Sequence, residues 1–324
     1  MILVKTPIRI SFSGGGSDYF QKNVKYHGRV LTTTIDKYIY ILINKKYNSE
    51  IRVSYSKTEN VKNVSQIQHN IIKQSLKEYK IKNGIEIVTS ADIPSSGSGL
   101  GSSSSLAVGL VNGLSKLNNI NLTKSQIAYK AAEIEINRCN KPIGFQDQFA
   151  TSFGGLKYIQ FINKKNIRVD NIKIGKKREN NFKNNLILFY TGINRKADKI
   201  LSKITKNKNH IKNHDNLSLL AKNFYHELIY GDLDNCGSIL HENWMIKRSL
   251  NKTVSTLDLD YIYNYALKSG AIGGKLLGAG GGGYFLFYVK KEKQKKFLKS
   301  IKKIESLSCI DFNFENNGTT IINC

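Results

Sequence analysis

Three glycines at alternate positions, Gly97, Gly99 and Gly101, lie within the stretch PSSGSGLGSSSS that runs from Pro94 to Ser105. Glycines let backbone N–H groups approach a ligand closely, and the serines between them add hydroxyls that can hold a metal or a phosphate. The flanks give the stretch its setting. Gly84 to Ile93 alternates apolar and polar residues as a strand does, and Leu106, Leu110, Leu114 and Leu117 repeat at helical spacing. A strand that turns through glycines into a helix N-terminus aims unpaired N–H groups and a positive dipole end at an anion in the turn. The stretch therefore reads as a phosphate cradle. A flexible Gly/Ser linker is the rival reading, and the immediate passage into a periodic helix disfavours it. No Gly-Lys-Ser/Thr closes the motif, so it is not a P-loop, and the glycine spacing is not that of a dinucleotide fold.

Other residues could act on what the cradle holds. Arg9 is carried by a strand-like run, Ile2 to Ser13, that ends in Gly14-Gly15-Gly16-Ser17-Asp18. There Gly15 and Gly16 clear room for a ligand and Asp18 can accept hydrogen bonds from its hydroxyls, although three glycines and an Asp also make an ordinary turn. Thr123-Lys-Ser-Gln126 is a capping box opening a helix to about Arg138. On that helix Glu135 shares a face with Ala128, Ala131 and Ala132, whereas Glu133 reads as a solvent-facing carboxylate. Asp147 stands between Gln146 and Gln148, two amides that can orient it. Arg195, beyond the buried-type strand Leu186 to Tyr190 and the Thr191-Gly192 turn, can bind an anion at the start of a helix. Trp244, on a helical pattern from Asp234 to Ser249, reads as core. Gly278, Gly280 and Gly283 formally match G-x-G-x-x-G, but the order helix, glycines, strand is the reverse of what dinucleotide binding needs. Four consecutive glycines, Gly280 to Gly283, still imply backbone passing close to another loop or to a bound phosphate.

The elements that must position these residues belong to an ordinary globular chain. Its 324 residues allow two domains, and 40% hydrophobic with 23% charged residues is a globular composition. No run reaches membrane-spanning length and the first residues lack a secretory signal's order, so a cytoplasmic protein without membrane association is expected. Cys139, Cys236, Cys309 and Cys324 show no paired spacing, which points to neither disulfides nor zinc. A formal charge of +26 raises nucleic-acid binding as a possibility. The lysines, however, are spread through the chain among asparagines, with no aromatic and basic recognition motif, so no nucleic-acid partner is expected. The excess charge favours polyanionic small molecules instead. The lysine- and asparagine-rich segment Asn163 to Asn185 is the expected boundary, giving domains 1–165 and 180–324.

Three motifs in order resemble the GHMP kinases, the superfamily of galactokinase, homoserine kinase, mevalonate kinase and phosphomevalonate kinase. They are Pro7-Ile-Arg9 leading to Asp18, the central Pro94-x-x-Gly97-x-Gly99-Leu100-Gly101-Ser102-Ser103, and Lys275-Leu-Leu-Gly278-Ala-Gly280-Gly-Gly282-Gly. The resemblance covers nearly the whole chain. It implies an α+β fold of two domains, the first like ribosomal protein S5 domain 2 and the second ferredoxin-like, with the active site in the cleft between them. It implies an ATP-dependent phosphotransferase in which Pro94, Gly97, Ser98, Gly99, Leu100, Gly101, Ser102, Ser103 and Ser104 wrap the ATP phosphates. Ser103 and Glu135 would hold Mg²⁺, Asp147 would be the base facing the acceptor hydroxyl, and Arg9 would pair with Asp147 and the transferring phosphoryl. Asp18 matches the sugar-binding aspartate of galactokinase, but Gly15 and Gly16 replace the Glu-His of that enzyme, which removes hydroxyl-binding groups and leaves room for a larger or anionic sugar. The acceptor side is assigned Gly15, Gly16, Ser17, Asp18, Thr191, Arg195, Gly280, Gly281 and Gly282.

Within the superfamily the sequence looks most like the D-glycero-D-manno-heptose 7-phosphate kinases. They are implied to phosphorylate the anomeric C1 hydroxyl to give the 1,7-bisphosphate, feeding nucleotide-activated heptose for surface polysaccharide. Kinases for fucose, galactose or a related sugar phosphate are the alternative. The implied partners are a sugar phosphate and ATP, and a homodimer is compatible with the sequence. A catalytically dead sugar- or ATP-binding regulator on the same scaffold is disfavoured, because Arg9, Ser103, Glu135 and Asp147 occur together.

Overall fold

A computed structural model describes residues 1–20, 25–94, 97–193 and 210–322, with side chains from 213 onward in the last span. Arg195, a candidate acceptor ligand, lies outside the described residues, as do Ser95 and Ser96 of the central motif. Among the described residues the strands form two sheets, one of nine strands and one of four.

The larger sheet is built on Ile2–Ser13, antiparallel to the long strand Gly28–Lys45. Thr6 to Ser13 and Val30 to Ile35 are buried at every residue, polar ones included, as strand segments covered on both faces are. Pro7 lacks the N–H that a ladder needs, and the register breaks just beyond it: Pro7 faces Tyr38, but Ile8 faces Ile35. Such an irregularity re-aims the side chains that follow it, among them Arg9. One half of Gly28–Lys45 pairs with Ile85–Ala91 and the other with Lys157–Asn163.

The helix Ser102–Leu117 follows the glycine turn and lies on this sheet, burying Leu110, Val111 and Leu114. Gly109 and Gly113 let it come close: a Cβ on Gly113 would stand 2.6 Å from Ile43 Cδ1 and 2.8 Å from Val4 Cγ2. The capping box holds, with the Thr123 hydroxyl accepting from Gln126 N–H at 3.2 Å and Gln126 Oε1 accepting from Thr123 N–H at 2.8 Å. The helix it opens is α-helical only over Lys124–Ala132 and continues as π-helical turns through Glu133–Arg138, a wider winding than expected.

The smaller sheet runs in the order Ser308–Ile310, Leu186–Tyr190, Tyr284–Tyr288, Gly273–Leu276. Its aromatic core gathers Phe285, Phe287, Tyr263 and the fully buried Trp244, whose ring meets Phe285 edge-on at 6.0 Å. The helices Leu233–Ser249 and Leu257–Lys268 supply Trp244 and Tyr263.

Three features lie outside the sequence reading. The segment Asn163 to Asn185 carries structure of its own: Asn166–Asn171 pairs with Lys157–Asn163, and the helix Lys176–Asn184 buries Phe182 against Phe12 at 5.2 Å. Its few apolar residues fall where they can be buried, beneath a surface of Lys and Asn. The sheets also do not follow a linear division at 180, because Thr320–Ile322 pairs with Ile2–Ser13 and Phe314–Glu315 with Gly28–Lys45. Finally, the C-terminal glycine run is preceded by a strand, so it joins two antiparallel strands rather than a helix and a strand. Substituting Gly113→Leu is expected to overpack the contact between helix and sheet and cost about 1–3 kcal/mol. Thermal unfolding checks this; an unchanged melting temperature would mean that the helix is not seated so closely.

Candidate active site

The glycine turn adopts the conformation its composition calls for. Gly97, Gly99 and Gly101 all have left-handed φ, at 71°, 77° and 75°, which residues with a side chain rarely adopt. Gly101 is the residue before the helix Ser102–Leu117, and no side chain caps that helix. Its first-turn N–H groups and its positive dipole end are thus presented at the turn. The serines divide the work. Ser98 and Ser102 bond each other at 2.6 Å, Ser104 accepts from Gln148 Nε2 at 3.1 Å, and Ser103 donates to Glu135 Oε1 at 2.5 Å. Leu100 is buried in the core and Pro94 is exposed.

Arg9, 3% exposed, ties the turn to the helix Gln146–Phe153. Its Nε and Nη2 donate to the two carboxylate oxygens of Asp147 at 2.8 and 2.7 Å, and its Nη1 donates to Gly99 O at 2.7 Å. The Arg9 backbone N–H also donates to Leu100 O at 3.0 Å. A two-pronged guanidinium contact fixes both the position and the plane of the carboxylate. The amides beside Asp147 do not orient it, contrary to the sequence reading. Gln146 Oε1 accepts from Ser11 at 3.0 Å, and Gln148 Nε2 reaches Glu135 Oε2 at 2.7 Å. Successive helix residues point about 100° apart, so neighbours in sequence serve different partners.

Glu135 is fully buried on the other side of the turn, within reach of Ser103, Gln148 and Lys141. The Lys141 ammonium stands 3.1 Å from Glu135 Oε1 and also donates to Ser103 Oγ. A hydroxyl and a carboxylate sharing one cationic group are a donor set that suits a hard divalent cation completed by water and phosphate oxygens. No cluster of three His, Cys, Asp or Glu able to hold a metal occurs among the described residues.

A cleft of about 850 Å³, its solvent-filled mouth included, opens beside Arg9 and Asp147. Asp18, Gly15 and Gly16 line it. Asp18 is 1% exposed, and its oxygens accept from Gly16 N–H at 3.0 Å and Gln146 N–H at 3.1 Å. Burial pushes its carboxyl up to about 6, and the nearby Asp147 charge adds to this. Gly144 makes room for it, since a Cβ there would lie 2.0 Å from Asp18 Oδ2. Ser17 is spent inside the turn, donating to Gly14 O and Arg29 O.

The third motif reaches the cleft at Lys275, Gly278 and Ala279. Gly280, Gly281 and Gly282 pack elsewhere: a Cβ on Gly280 would be 2.6 Å from Val254, Gly281 N–H donates to Val254 O, and a Cβ on Gly282 would be 2.5 Å from Ile193 O. Gly283 presses on the first turn, with a built Cβ only 2.4 Å from Ser98 O, and Thr191 donates through both N–H and hydroxyl to Gly283 O. The close approach foreseen for this run is therefore to other loops. Sequence reading passed over Lys141, Lys247 and Lys275 as site residues. Lys247 and Lys275 line the cleft from the second sheet's side. Lys141 and Lys247 carry no sequence signal in a chain with 50 Lys and Arg, but Lys275 stands alone in an apolar Gly-Gly-Lys-Leu-Leu run, where a lysine needs a reason.

Comparison with known proteins agrees with this geometry. The family pattern described as GHMP kinases N terminal domain matches residues 66–155, and GHMP kinases C terminal matches residues 220–304. The chain is 30% identical to the D-glycero-alpha-D-manno-heptose 7-phosphate kinase of Campylobacter jejuni, over 98% of this chain and 97% of that one. It is 27% identical to a galactokinase of Pyrococcus furiosus, over 91% of this chain and 90% of that one. A solved D-glycero-D-manno-heptose 1-phosphate kinase from Bacteroides thetaiotaomicron shares the fold at a TM-score of 0.81 and 22% identity, covering 100% of this chain and 99% of that one. No helix among the described residues is long and apolar enough to cross a membrane. The chain belongs to the GHMP kinases and is an ATP-dependent phosphotransferase.

Proposed function

We propose that this kinase transfers the γ-phosphoryl of ATP to the anomeric C1 hydroxyl of D-glycero-D-manno-heptose 7-phosphate, giving the 1,7-bisphosphate. The observation that carries a transfer reaction at this place is the Arg9–Asp147 pair, set at the edge of a glycine turn that has Ser103 and Glu135 beside it. The heptose assignment draws on the Campylobacter relative, which aligns end to end. It draws also on Gly15 and Gly16, which line the cleft with no side chains of their own. A kinase for galactose or fucose is the second reading, favoured by the galactokinase at 27% identity and a plant fucokinase at 25%.

In this reading the turn binds the nucleotide phosphates through backbone N–H groups and the N-terminus of the helix Ser102–Leu117. Ser103 and Glu135 would hold Mg²⁺, which when bound neutralises charge on phosphate oxygens. Arg9 holds and aims Asp147 through both carboxylate oxygens, and its guanidinium offsets charge near the transferred group. Asp147 accepts the proton of the acceptor hydroxyl or holds that hydroxyl in line. An anomeric hydroxyl is more acidic than an ordinary alcohol, so a modest base suffices. Asp18 and the Gly15-Gly16 backbone hold the sugar.

Replacing Asp147 by Asn should lower kcat at least about a hundredfold with little change in KM for ATP, the low end of what a positioned base contributes. Near-native turnover would remove Asp147 from the mechanism. ATP consumption measured against heptose 7-phosphate, galactose, fucose and mannose phosphates should be fastest with the first; preference for an unphosphorylated sugar would overturn the acceptor assignment. Asp18 adds a pH signature. Its folded-state value of about 6 lies above the ordinary 3.8, so the native protein holds an extra proton between those limits. Its contribution to stability is thus complete below about 4 and is lost as pH rises through 6. Relative to Asp18→Asn, the wild type should lose up to ~3 kcal/mol of unfolding free energy from pH 4 to pH 7. A pH-independent difference in chemical denaturation would contradict this.

A further inference from the structure

Lys275 lies within the strand Gly273–Leu276, 2% exposed, yet it lines the cleft. Its ammonium donates to Phe12 O at 3.1 Å and Asn243 Oδ1 at 2.8 Å, two neutral oxygens. Among the described residues no carboxylate pairs with it, and the charged neighbour it feels is Arg9, of the same sign. Burial and that neighbour push its ammonium down to about 7. A buried cation without a counter-charge is costly, and a fold keeps one chiefly where a ligand brings the missing anion. An ammonium has three N–H donors, and two are accounted for.

A second cation shares this wall. Lys247 stands one helical turn beyond Asn243 on Leu233–Ser249 and donates to Gly278 O, with Leu276 O at 3.4 Å. Arg9 cannot serve as the missing partner's host, because its charge is met by both oxygens of Asp147.

The part of the first strand that Lys275 touches says which anion it fits. Arg9 touches the glycine turn through Gly99 O, and that end belongs to the nucleotide. Phe12, which Lys275 grips, is three residues further toward the Gly14-to-Asp18 turn, at the acceptor's end. We propose that Lys275, supported by Lys247, forms a subsite for the phosphate carried by the acceptor. The inference rests on the heptose 7-phosphate reading above. The phosphate displaces neutral oxygens as the Lys275 ammonium's partner and brings the counter-charge that Lys275 lacks among the described residues. Lys275 then discriminates a phosphorylated from an unphosphorylated sugar, because binding the latter leaves the buried cation without its anion.

A purely structural role, tethering Phe12 to Asn243, is the competing account, and a specificity ratio separates the two. The full-length enzyme and its Lys275→Met, Lys247→Met and Lys275→Arg variants are assayed with heptose 7-phosphate and with free heptose. In each Met variant, the ratio of kcat/KM between the two acceptors should fall roughly ten- to hundredfold, the worth of one charge-assisted hydrogen bond. The fall should come mainly from KM for the phosphorylated acceptor, with KM for ATP moving far less, and Lys275→Arg should recover part of it. A ratio unchanged in both Met variants while the wild type keeps its preference would overturn the subsite and leave the acceptor assignment standing. Equal losses on both acceptors would assign Lys275 to the scaffold or to the transferred phosphoryl and likewise overturn it. A wild type with no preference would take down the acceptor assignment and the subsite together. Should Lys275→Met fail to fold, Lys247→Met decides by the same ratio.

Discussion

A guanidinium holding a carboxylate with two nitrogens while its third grips a loop carbonyl is the constraint on which this site depends. Arg9 joins Asp147, 138 residues away, to Gly99 in the glycine turn, so acid residue and turn share one rigid reference. With Arg9 buried and Asp147 partly so, the pair is a poor source of net stability, since desolvation offsets the attraction, and removing Asp147 strands a buried guanidinium. Its value is geometric. It sets the carboxylate's plane and distance from the turn before any ligand arrives, the preorganisation that phosphoryl transfer requires.

The surrounding architecture protects that constraint. The register break after Pro7 directs the strand that carries Arg9, and the glycine-lined seat of the helix Ser102–Leu117 brings its N-terminus to the same strand. From the other side, Gly283 packs on Ser98, so the second sheet buttresses the turn rather than reaching over it. The cleft between has carboxylates on one wall, Asp18 and Asp147, and ammonium groups on the other, Lys247 and Lys275. Such a division of charge suits a ligand with hydroxyls at one end and an anionic group at the other.

The local features of this arrangement were legible in the sequence. Alternate glycines require left-handed backbone, and all three have it. The Thr123–Gln126 box caps its helix, Glu135 turns inward beside its alanines, and Trp244 sits in the core. What could not be read was set by tertiary contact. Gln146 and Gln148 flank Asp147 in sequence but serve Ser11 and Glu135 in space. The last strands return to the first sheet through pairings between residues far apart in sequence, such as Leu3 with Ile322 and Phe314 with Ile35. Gly280 to Gly282 signal close approach without saying to what, and the answer is Val254 and Ile193. Lys141 is anonymous among so many lysines until Glu135 and Ser103 are seen beside it.

The most direct test of this account is a crystal structure of the enzyme with Mg²⁺ and a non-hydrolysable ATP analogue. The account predicts the β- and γ-phosphates on the backbone N–H groups between Gly99 and Ser102, the metal on Ser103 and Glu135, and the γ-phosphate facing Asp147 across Arg9. Phosphates bound away from the turn, or a γ-phosphate pointing away from Asp147, would contradict it.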